Sequence, residues 1–384
     1  MRFSVLDAWR GIAALTIALF RFDADGWYFG LGLVRNAYLF VDFFFVLSGF
    51  VIAYAYLGRL ETRQDGTNFV IRRFGRVWPL HVFMLFVFVA METAQLLLGT
   101  SGHQPFTGTR TPDTIVANIF LIQSLGFYEH LAWNFPSWSI STEFWTYCLF
   151  AALCLVSRRM LPYLAAALVV GGLWVVAANS THGLEVTADW GIYRCIAGFF
   201  AGVLVHAAWA ATRDRNFGRS ATIWEVGVLA LAVAFVSVAG TGPLSFAAPF
   251  VFAILVYVFA YEGGAVSRIL KAKPFQLLGE WSYSIYMVAL FVSMIGYKVL
   301  AFVSAKLGVA LKVVTVEGME KRLLDFAPPG VMDLVAVVYL LGVCLVAYLT
   351  YRFVENPGRA FFNRLAESAT RKRADPVVSP SVSG

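Results

Sequence analysis

Apolar residues dominate this chain in long runs, which short polar or charged segments separate. Each run is about as long as the roughly 20 residues that an α-helix needs to cross a bilayer. The pattern therefore predicts an all-α, polytopic membrane protein with about ten transmembrane helices in one bundle. The predicted spans are 5–22, 37–57, 78–99, 139–156, 161–178, 190–210, 223–239, 244–262, 281–303 and 331–353.

Basic residues between the runs predict the orientation of the bundle. With the N-terminus in the cytoplasm, the inside loops and the C-terminal segment carry eighteen Lys and Arg residues, and the outside loops carry six. Because cytoplasmic loops are enriched in Lys and Arg, both termini are predicted to lie in the cytoplasm. Arg2 is followed by an apolar run without a small-residue cleavage site, so we expect the first span to be retained.

Composition agrees with one membrane domain. Charged residues make up 14% of the chain, whereas soluble domains have about 25%. We expect residues 1–364 to form the transmembrane domain and the polar residues 365–384 to form a disordered cytoplasmic tail. The four cysteines lie in apolar runs without CxxC spacing, so neither a disulfide framework nor a metal site is predicted. The net charge of +7 is mostly a topology signal, and no soluble basic face for nucleic acid is visible.

Two arginines in the first predicted span, Arg10 and Arg21, are eleven positions apart. Eleven residues make about three helical turns, so both side chains lie on one face, about 16 Å apart along the axis. Arginine in a bilayer span costs several kcal/mol unless it faces a protein interior or a wet cavity, which indicates a polar site inside the bundle. Asp7 can pair with Arg10, although such a pair can also merely anchor the helix. Arg21 can equally reach the lipid headgroups.

A cluster of arginines, Arg72, Arg73 and Arg76, lies in the predicted inside loop before the third span. Guanidinium groups in such a cluster suit phosphate, which they bind through bidentate hydrogen bonds. The same cluster also fits positive-inside anchoring or binding to anionic lipid. The spacing alone leaves both interpretations open.

The remaining candidates are polar residues at or inside the predicted spans. Asp42 lies among phenylalanines and needs a cation or hydrogen-bond donors nearby to stay ionised. Ser141 and Glu143 open the fourth span, where they can cap the helix, or Glu143 can accept a proton in a polar cavity. The weaker candidates are Ser139, Arg194, Tyr283 and Glu355. The chain contains no GxSxG, HExxH, P-loop or GxGxxG motif in the required context, so nothing supports a hydrolase, ATPase or dehydrogenase.

Taken together, these segments resemble the acyltransferase 3 family of integral membrane O-acyltransferases. The resemblance runs from about residue 6 to 364, in family order, through LDAWRGIAAL, FVDFFFVLSGFVIA, FVIRRFGRVWPL, PSWSISTEFW, Arg194 with its FFAG, SYSIYM and FVENPGR. It implies a ten-span bundle that takes an acyl group, usually acetyl, from acyl-CoA in the cytoplasm. The acceptor would be a hydroxyl group of a surface glycan, a glycolipid or another small acceptor. Acyl-CoA would be a co-substrate, and no covalently bound cofactor is expected.

The resemblance also assigns roles to individual residues. Arg10 corresponds to the first-span arginine of the family and Glu143 to the glutamate of its WSxSxE motif. Arg73 and Arg76 match the paired arginines that would hold the phosphates of coenzyme A. The sequence departs from the family where two histidines are expected.

Arg21 and Ala289 stand at those two expected histidine positions. Activating a hydroxyl group requires a base with a pKa near 7, such as histidine, whereas arginine stays protonated and alanine cannot react. Two hypotheses follow. The chain is an acyl-CoA-dependent O-acyltransferase, in which another group such as Glu143 or His130 serves as base or which the replacements have silenced. Alternatively, it is a non-catalytic membrane protein on the same scaffold that binds or carries an acyl donor, lipid or glycan.

Overall fold

A computed structural model describes residues 3–99, 104–215, 218–307 and 327–374, which are mainly helical. Fifteen α-helices and no strands occur in these ranges. They are α1 (Ser4–Phe20), α2 (Trp27–Gly30), α3 (Gly32–Arg35), α4 (Phe40–Tyr56), α5 (Arg63–Leu98), α6 (Pro112–Ile119), α7 (Trp138–Ser157), α8 (Leu161–Asn179), α9 (Gly191–Thr212), α10 (Ala221–Ala239), α11 (Ala248–Phe259), α12 (Ala265–Leu270), α13 (Lys273–Leu307), α14 (Pro329–Thr350) and α15 (Asn356–Ala374). The predicted all-α class is confirmed.

Eight helical stretches in the described ranges are long and apolar enough to cross a membrane. They contain α4, α5, α7, α8, α9, α10, α13 and α14. The other two predicted spans correspond to shorter helices: α1 has 17 residues, and α11 lies in the apolar stretch Pro243–Phe259. The chain is therefore a multi-pass membrane protein, as its apolar runs predict.

The largest boundary correction concerns the third predicted span. Its helix, α5, begins at Arg63, fifteen positions before the predicted start at residue 78. A capping box fixes this start: the Thr62 hydroxyl accepts a hydrogen bond from the Asp65 amide, and the Asp65 carboxylate accepts one from the Thr62 amide. The arginines predicted to lie in a loop therefore lie on a helix.

The C-terminal part of the chain also differs from the prediction. A π-helical turn, Tyr351–Glu355, joins α14 to α15. The helical structure therefore continues without a break from α14 to Ala374, the last residue of α15. The first ten residues of the predicted disordered tail, 365–374, are thus helical. The reason is that α15 packs against α5. Residues 375–384 lie outside the described residues.

Two glycines allow α5 and α15 to pack closely. A Cβ atom at Gly75 would overlap the Phe362 side chain, and a Cβ atom at Gly358 would come within 2.6 Å of the Pro79 ring. Gly75 faces Phe362, and Pro79, four positions later on α5, faces Gly358, four positions earlier on α15. The two helices therefore run antiparallel. The polar first half of α5 therefore has a helical partner.

Helices α4 and α9 also cross with their backbones in close contact. A Cβ atom at Gly49 would overlap the carbonyl oxygen of Phe199, and one at Gly202 would overlap that of Val46. Small residues at such crossings let membrane helices approach each other. These glycines therefore fix the position of α4, which contributes to the polar site described below.

Replacing Gly49 by alanine is expected to lower the free energy of unfolding by about 1–3 kcal/mol, the usual cost of an overpacked contact. Thermal or denaturant unfolding of the solubilised protein measures the change. Gly227→Ala on α10 is the matched control, because its new Cβ atom would have no atom within 4 Å. That control should be neutral or slightly stabilising, since alanine favours helix. Equal effects of the two changes would contradict the close contact.

Candidate functional site

A cavity bounded by α1, α4, α5, α7 and α13 contains the main polar residues predicted from the sequence. It holds about 830 Å³ of empty space, including its part open to solvent. Its charged lining residues are Arg10, Arg73, Arg76 and Glu143. Glu143 is the one carboxylate on this wall among the residues that the structure describes. We call this space the arginine cavity.

Arg10 is held at the cavity wall by its own helix and by α13. Its Nη1 atom donates to Asp7 Oδ1 at 3.2 Å, and its Nη2 atom donates to Ser282 Oγ at 3.1 Å. The predicted pair with Asp7 is thus confirmed. Helices α1 and α13 can approach because a Cβ atom at Gly11 or at Gly279 would overlap the backbone of the other helix. This contact keeps Arg10 inside the bundle.

Arg76 forms an ion pair with Glu355, which lies in the π-helical turn and is 1% exposed. The second Glu355 oxygen accepts a hydrogen bond of 2.7 Å from Ser284 Oγ. Tyr283 completes the group: its ring lies 5.4 Å from the Arg76 guanidinium carbon, and its hydroxyl donates to the carbonyl oxygen of Val77. The charge of Arg76 is already balanced, so this residue joins α5 to α13 and to the π-helical turn.

The other two arginines of the cluster differ in their surroundings. Arg73 lines the cavity, and its Nη2 atom donates to the Tyr56 hydroxyl at 3.3 Å. Its Nε atom is buried without a hydrogen-bond partner, and it forms no ion pair within 4.0 Å in the described ranges. Arg72 lies outside the cavity and pairs with Glu367 at 3.4 Å. Arg73 is therefore the arginine of this cluster with charge available for an anionic ligand.

Glu143 lies in the second turn of α7, whereas the sequence predicts the first turn, because the helix begins at Trp138. It faces the arginine cavity together with Tyr147, one turn later. The Tyr147 hydroxyl lies 2.8 Å from Ser48 Oγ. The Glu143 carboxylate forms no ion pair within 4.0 Å among the described residues.

The two serines before Glu143 have different roles. Ser139 lines the cavity, where its hydroxyl lies 3.0 Å from the Tyr286 hydroxyl and donates to the carbonyl oxygen of Pro136. Ser141 is buried outside the cavity and donates to the carbonyl oxygen of Leu121 at 2.6 Å. The predicted cap by Ser141 is therefore wrong, because its hydroxyl holds α7 to the preceding loop.

Asp42 and Arg194 form a buried ion pair away from the arginine cavity. Arg194 Nε donates to Asp42 Oδ1 at 3.0 Å, and Nη2 donates to Oδ2 at 2.7 Å. The guanidinium also donates to the carbonyl oxygens of Val186 and Tyr38. Arg194 is thus the cation that the sequence predicts beside an ionised Asp42. The pair is 0% and 2% exposed, and it holds α4 to α9.

A tyrosine of α14 contacts the backbone of Ala289 and of Ala18, which lies three positions before Arg21. The Tyr339 hydroxyl lies 3.1 Å from the carbonyl oxygens of Ala18 and Ala289. Arg21 follows the last residue of α1, and its Nε atom is buried without a hydrogen-bond partner. The arginine cavity contains Arg10 but is not lined by Arg21. The prediction that both arginines share one site is thus not met.

None of the histidines that the structure describes lines the arginine cavity. His130 is exposed and lies beside the ring of Tyr128, so it cannot serve as the base there. Sequence reasoning missed the cavity hydroxyls of Tyr147 and Ser282. Tyr147 could have been found, because it lies four positions after Glu143 and therefore on the same helical face. No group of three or more His, Cys, Asp or Glu residues that could hold a metal ion occurs in the described ranges.

Comparisons with known proteins show which family the chain matches. The model of a family described as an acyltransferase domain matches residues 3–352. "Protein 2 in picA locus" of Rhizobium radiobacter is 38% identical over 99 residues, which are 26% of this chain and only half of that protein. "Acyltransferase MdmB" of Streptomyces mycarofaciens is 24% identical over 360 residues, which are 86% of this chain and 83% of that protein. No solved structure matches the chain.

Proposed function

Because this chain belongs to the acyltransferase 3 family of membrane proteins, we propose that it transfers an acetyl group from acyl-CoA to a carbohydrate hydroxyl. The acceptor is a surface glycan or a glycolipid, and the protein lies in a bacterial inner membrane with both termini in the cytoplasm. The observation that carries the proposal is the arginine cavity, where three arginines and one carboxylate meet inside a membrane bundle.

Arg73 is the main contact for the phosphates of the donor. Coenzyme A carries several phosphate groups, and a guanidinium group binds such oxyanions through charge-assisted hydrogen bonds. Arg73 has a buried, unpartnered Nε atom and forms no ion pair within 4.0 Å in the described ranges, whereas Arg76 is engaged by Glu355. Arg73 therefore gains most from an anionic ligand.

Glu143 and Arg10 supply the chemistry of the transfer. The Glu143 carboxylate takes the proton of the acceptor hydroxyl while that oxygen attacks the thioester carbonyl carbon. The carbonyl oxygen becomes an oxyanion, which the Arg10 guanidinium stabilises by charge and hydrogen bonding. When the oxyanion collapses, the carbon–sulfur bond breaks. The coenzyme A sulfur then receives the proton from Glu143, which leaves an acetyl ester and free coenzyme A.

Replacing Arg73 by glutamine is expected to weaken acetyl-CoA binding by about 10-fold to 100-fold, since a hydrogen bond to a charged group contributes about 1.5–3 kcal/mol. Titration of the reconstituted protein with acetyl-CoA measures the loss. Arg159→Gln is the matched control, because Arg159 is exposed and does not line the cavity. Unchanged affinity in Arg73→Gln would remove Arg73 from the donor site.

The replaced histidines favour a second candidate function, a non-catalytic protein that binds the acyl donor, a lipid or a glycan on the same scaffold. Arginine at position 21 and alanine at position 289 cannot take a proton from a hydroxyl group. In that case the cavity binds its ligand without transfer.

Incubation of the purified protein with labelled acetyl-CoA and glycan acceptors separates the two candidates. Transfer by the unchanged chain supports the acyltransferase. Transfer only after the paired changes Arg21→His and Ala289→His supports a scaffold that the two replacements have silenced. No transfer by either protein, together with no measurable affinity for coenzyme A, would overturn the proposal.

A further inference from the structure

The arginine cavity has one charged side and one apolar side. Its charged residues come from α1, α5 and α7, whereas the side formed by α4 carries no charge. The apolar residues that α4 places on the cavity are Val41, Phe44, Phe45, Leu47, Val51 and Ile52. Ser48 is the one polar residue among them within the described ranges, and its Oγ atom already lies 2.8 Å from the Tyr147 hydroxyl. We call this side of the cavity the α4 wall.

Two contacts between α4 and α7 show which part of the α4 wall lies opposite Glu143. The ring of Trp138, the first residue of α7, lies 6.0 Å from the ring of Phe45. Further along both helices, the Tyr147 hydroxyl contacts Ser48. Glu143 lies between Trp138 and Tyr147 on α7 and faces the same cavity. It therefore stands opposite the stretch of α4 from Phe45 to Ser48.

Arg73 lies farther along α4, toward its C-terminal end. Its Nη2 atom donates to the hydroxyl of Tyr56, the last residue of α4. Eight residues separate Tyr56 from Ser48, which corresponds to about 12 Å of helix. A donor with its phosphates at Arg73 and its thioester at Glu143 therefore lies along the α4 wall. Its acyl chain then points toward the N-terminal end of α4.

The N-terminal end of the α4 wall is apolar on both sides of the cavity. Val41 and Phe44 line it from α4, and Ile140, one turn before Glu143, lines it from α7. Val41 and Ile140 are 5% and 4% exposed, whereas Phe44 is only half-buried. The Phe44 ring packs edge-on against Tyr286 of α13, with 6.0 Å between the ring centroids. We call Val41, Phe44 and Ile140 the acyl end of the cavity.

An aliphatic group fits the acyl end better than a polar one. Apolar side chains that face empty space lack contacts on that side, and an aliphatic ligand supplies these contacts while it leaves water. A polar ligand group would lose its hydration there, because these three side chains offer it no hydrogen bond. The acyl end therefore favours a hydrocarbon chain that continues from the thioester.

We propose that the acyl end is a subsite for the hydrocarbon chain of the donor, so that the protein takes propionyl-CoA and butyryl-CoA as well as acetyl-CoA. This inference rests on the proposed acyltransferase function and names the class of acyl group that its site accepts. The bonds are the same for each donor: the acceptor oxygen bonds to the thioester carbonyl carbon, and the carbon–sulfur bond breaks. Phe44 is a specificity-determining residue in this arrangement, and it takes no part in proton transfer.

The binding test uses the full chain in phosphatidylcholine nanodiscs with acetyl-CoA, propionyl-CoA, butyryl-CoA and hexanoyl-CoA. Calorimetric titration measures the affinity for each donor, and empty nanodiscs correct for partition of the chains into lipid. We expect butyryl-CoA to bind about tenfold more tightly than acetyl-CoA, the gain typical for burial of two further methylene groups. Arg73→Gln should weaken the binding of all four donors by the same factor, because it affects only the phosphates that they share.

Variants of the acyl end should change the preference for chain length. Phe44→Trp fills the space and should reduce the advantage of butyryl-CoA to about threefold or less, since less of the chain is buried. Phe44→Ala enlarges the space and should shift the preference toward hexanoyl-CoA. Val41→Ala is a milder enlargement and should shift it in the same direction, so the test does not depend on the folding of Phe44→Ala. Phe86→Trp and Phe86→Ala are the matched controls, because Phe86 is 56% exposed on α5 and does not line the cavity.

Two results would overturn the subsite and leave the proposed function standing. One is equal affinity for all four donors in the unchanged chain. The other is a preference for longer chains that stays the same in Phe44→Trp, Phe44→Ala and Val41→Ala, because the chain would then bind elsewhere. No affinity for any of the four donors would instead overturn the proposed function together with the inference that rests on it.

A transfer assay with the same donors keeps the two proposals distinguishable. A kcat/KM that rises from acetyl-CoA to butyryl-CoA, and does so less in Phe44→Trp, would support both. Transfer of all acyl groups with equal kcat/KM would support the acyltransferase and overturn the subsite. Binding that depends on chain length, without transfer to any acceptor, would support the subsite and count against the proposed function.

Discussion

Replacement of Glu143 by glutamine is expected to slow acyl transfer by about 10²–10⁴-fold, the range typical for the loss of a general base. Glutamine preserves the size of the side chain, but it cannot accept the proton of the acceptor hydroxyl. The measurement is kcat with saturating acetyl-CoA and a carbohydrate acceptor. Affinity for acetyl-CoA should change little, because Arg73 and not Glu143 is the proposed contact for the donor phosphates.

Two further variants make this result specific. Glu129→Gln removes an exposed carboxylate and should leave the rate unchanged. Tyr147→Phe removes a hydroxyl group that lines the same cavity as Glu143 and should cause a smaller loss than Glu143→Gln. A normal rate in Glu143→Gln would exclude Glu143 as the base and leave the described cavity without a proton acceptor.

Replacement of Asp42 by asparagine is expected to lower the free energy of unfolding by about 3–5 kcal/mol, the cost of leaving one partner of a buried ion pair uncompensated. Arg194 would remain 2% exposed and would keep its two backbone carbonyl acceptors, but its charge would be unbalanced. Denaturant unfolding of the solubilised protein measures the change.

The exposed pair between Arg158 and Glu61 is the matched control, with side chains 35% and 67% exposed. Glu61→Gln should cost less than about 1 kcal/mol, because solvent screens surface ion pairs. The double change of Asp42→Asn with Arg194→Met should cost less than the sum of its single changes, since the two residues are coupled. Additive effects would contradict a direct pair.

The spans were predictable because their signal is local. An apolar run of sufficient length determines a membrane helix wherever it occurs in the chain. The start of α5 was missed because residues 63–76 are mostly polar, and hydropathy reports only the part of a helix that lies in lipid. The capping box of Thr62 and Asp65 was legible in the sequence and would have given the correct start.

The sequence predicted which residues form the site but not which residues they contact. Motif order drew attention to Arg10, Arg73 and Glu143, and the structure brings them to one cavity. Their partners were not predictable, because periodicity relates residues within a helix and not between distant helices. Glu355 balances Arg76 across 279 positions of sequence. Arg21 shares a helical face with Arg10 but not its cavity, since that cavity does not extend along the whole face.

The length of α5 has a consequence for where its arginines stand. At 1.5 Å per residue, its 36 residues span about 54 Å, whereas the hydrocarbon layer is about 30 Å thick. Its polar first turns and the antiparallel α15 must therefore extend beyond the hydrocarbon layer into water as a two-helix projection. The charged nucleotide portion of an acyl-CoA can bind to this projection in water, so that only its thioester end has to enter the membrane.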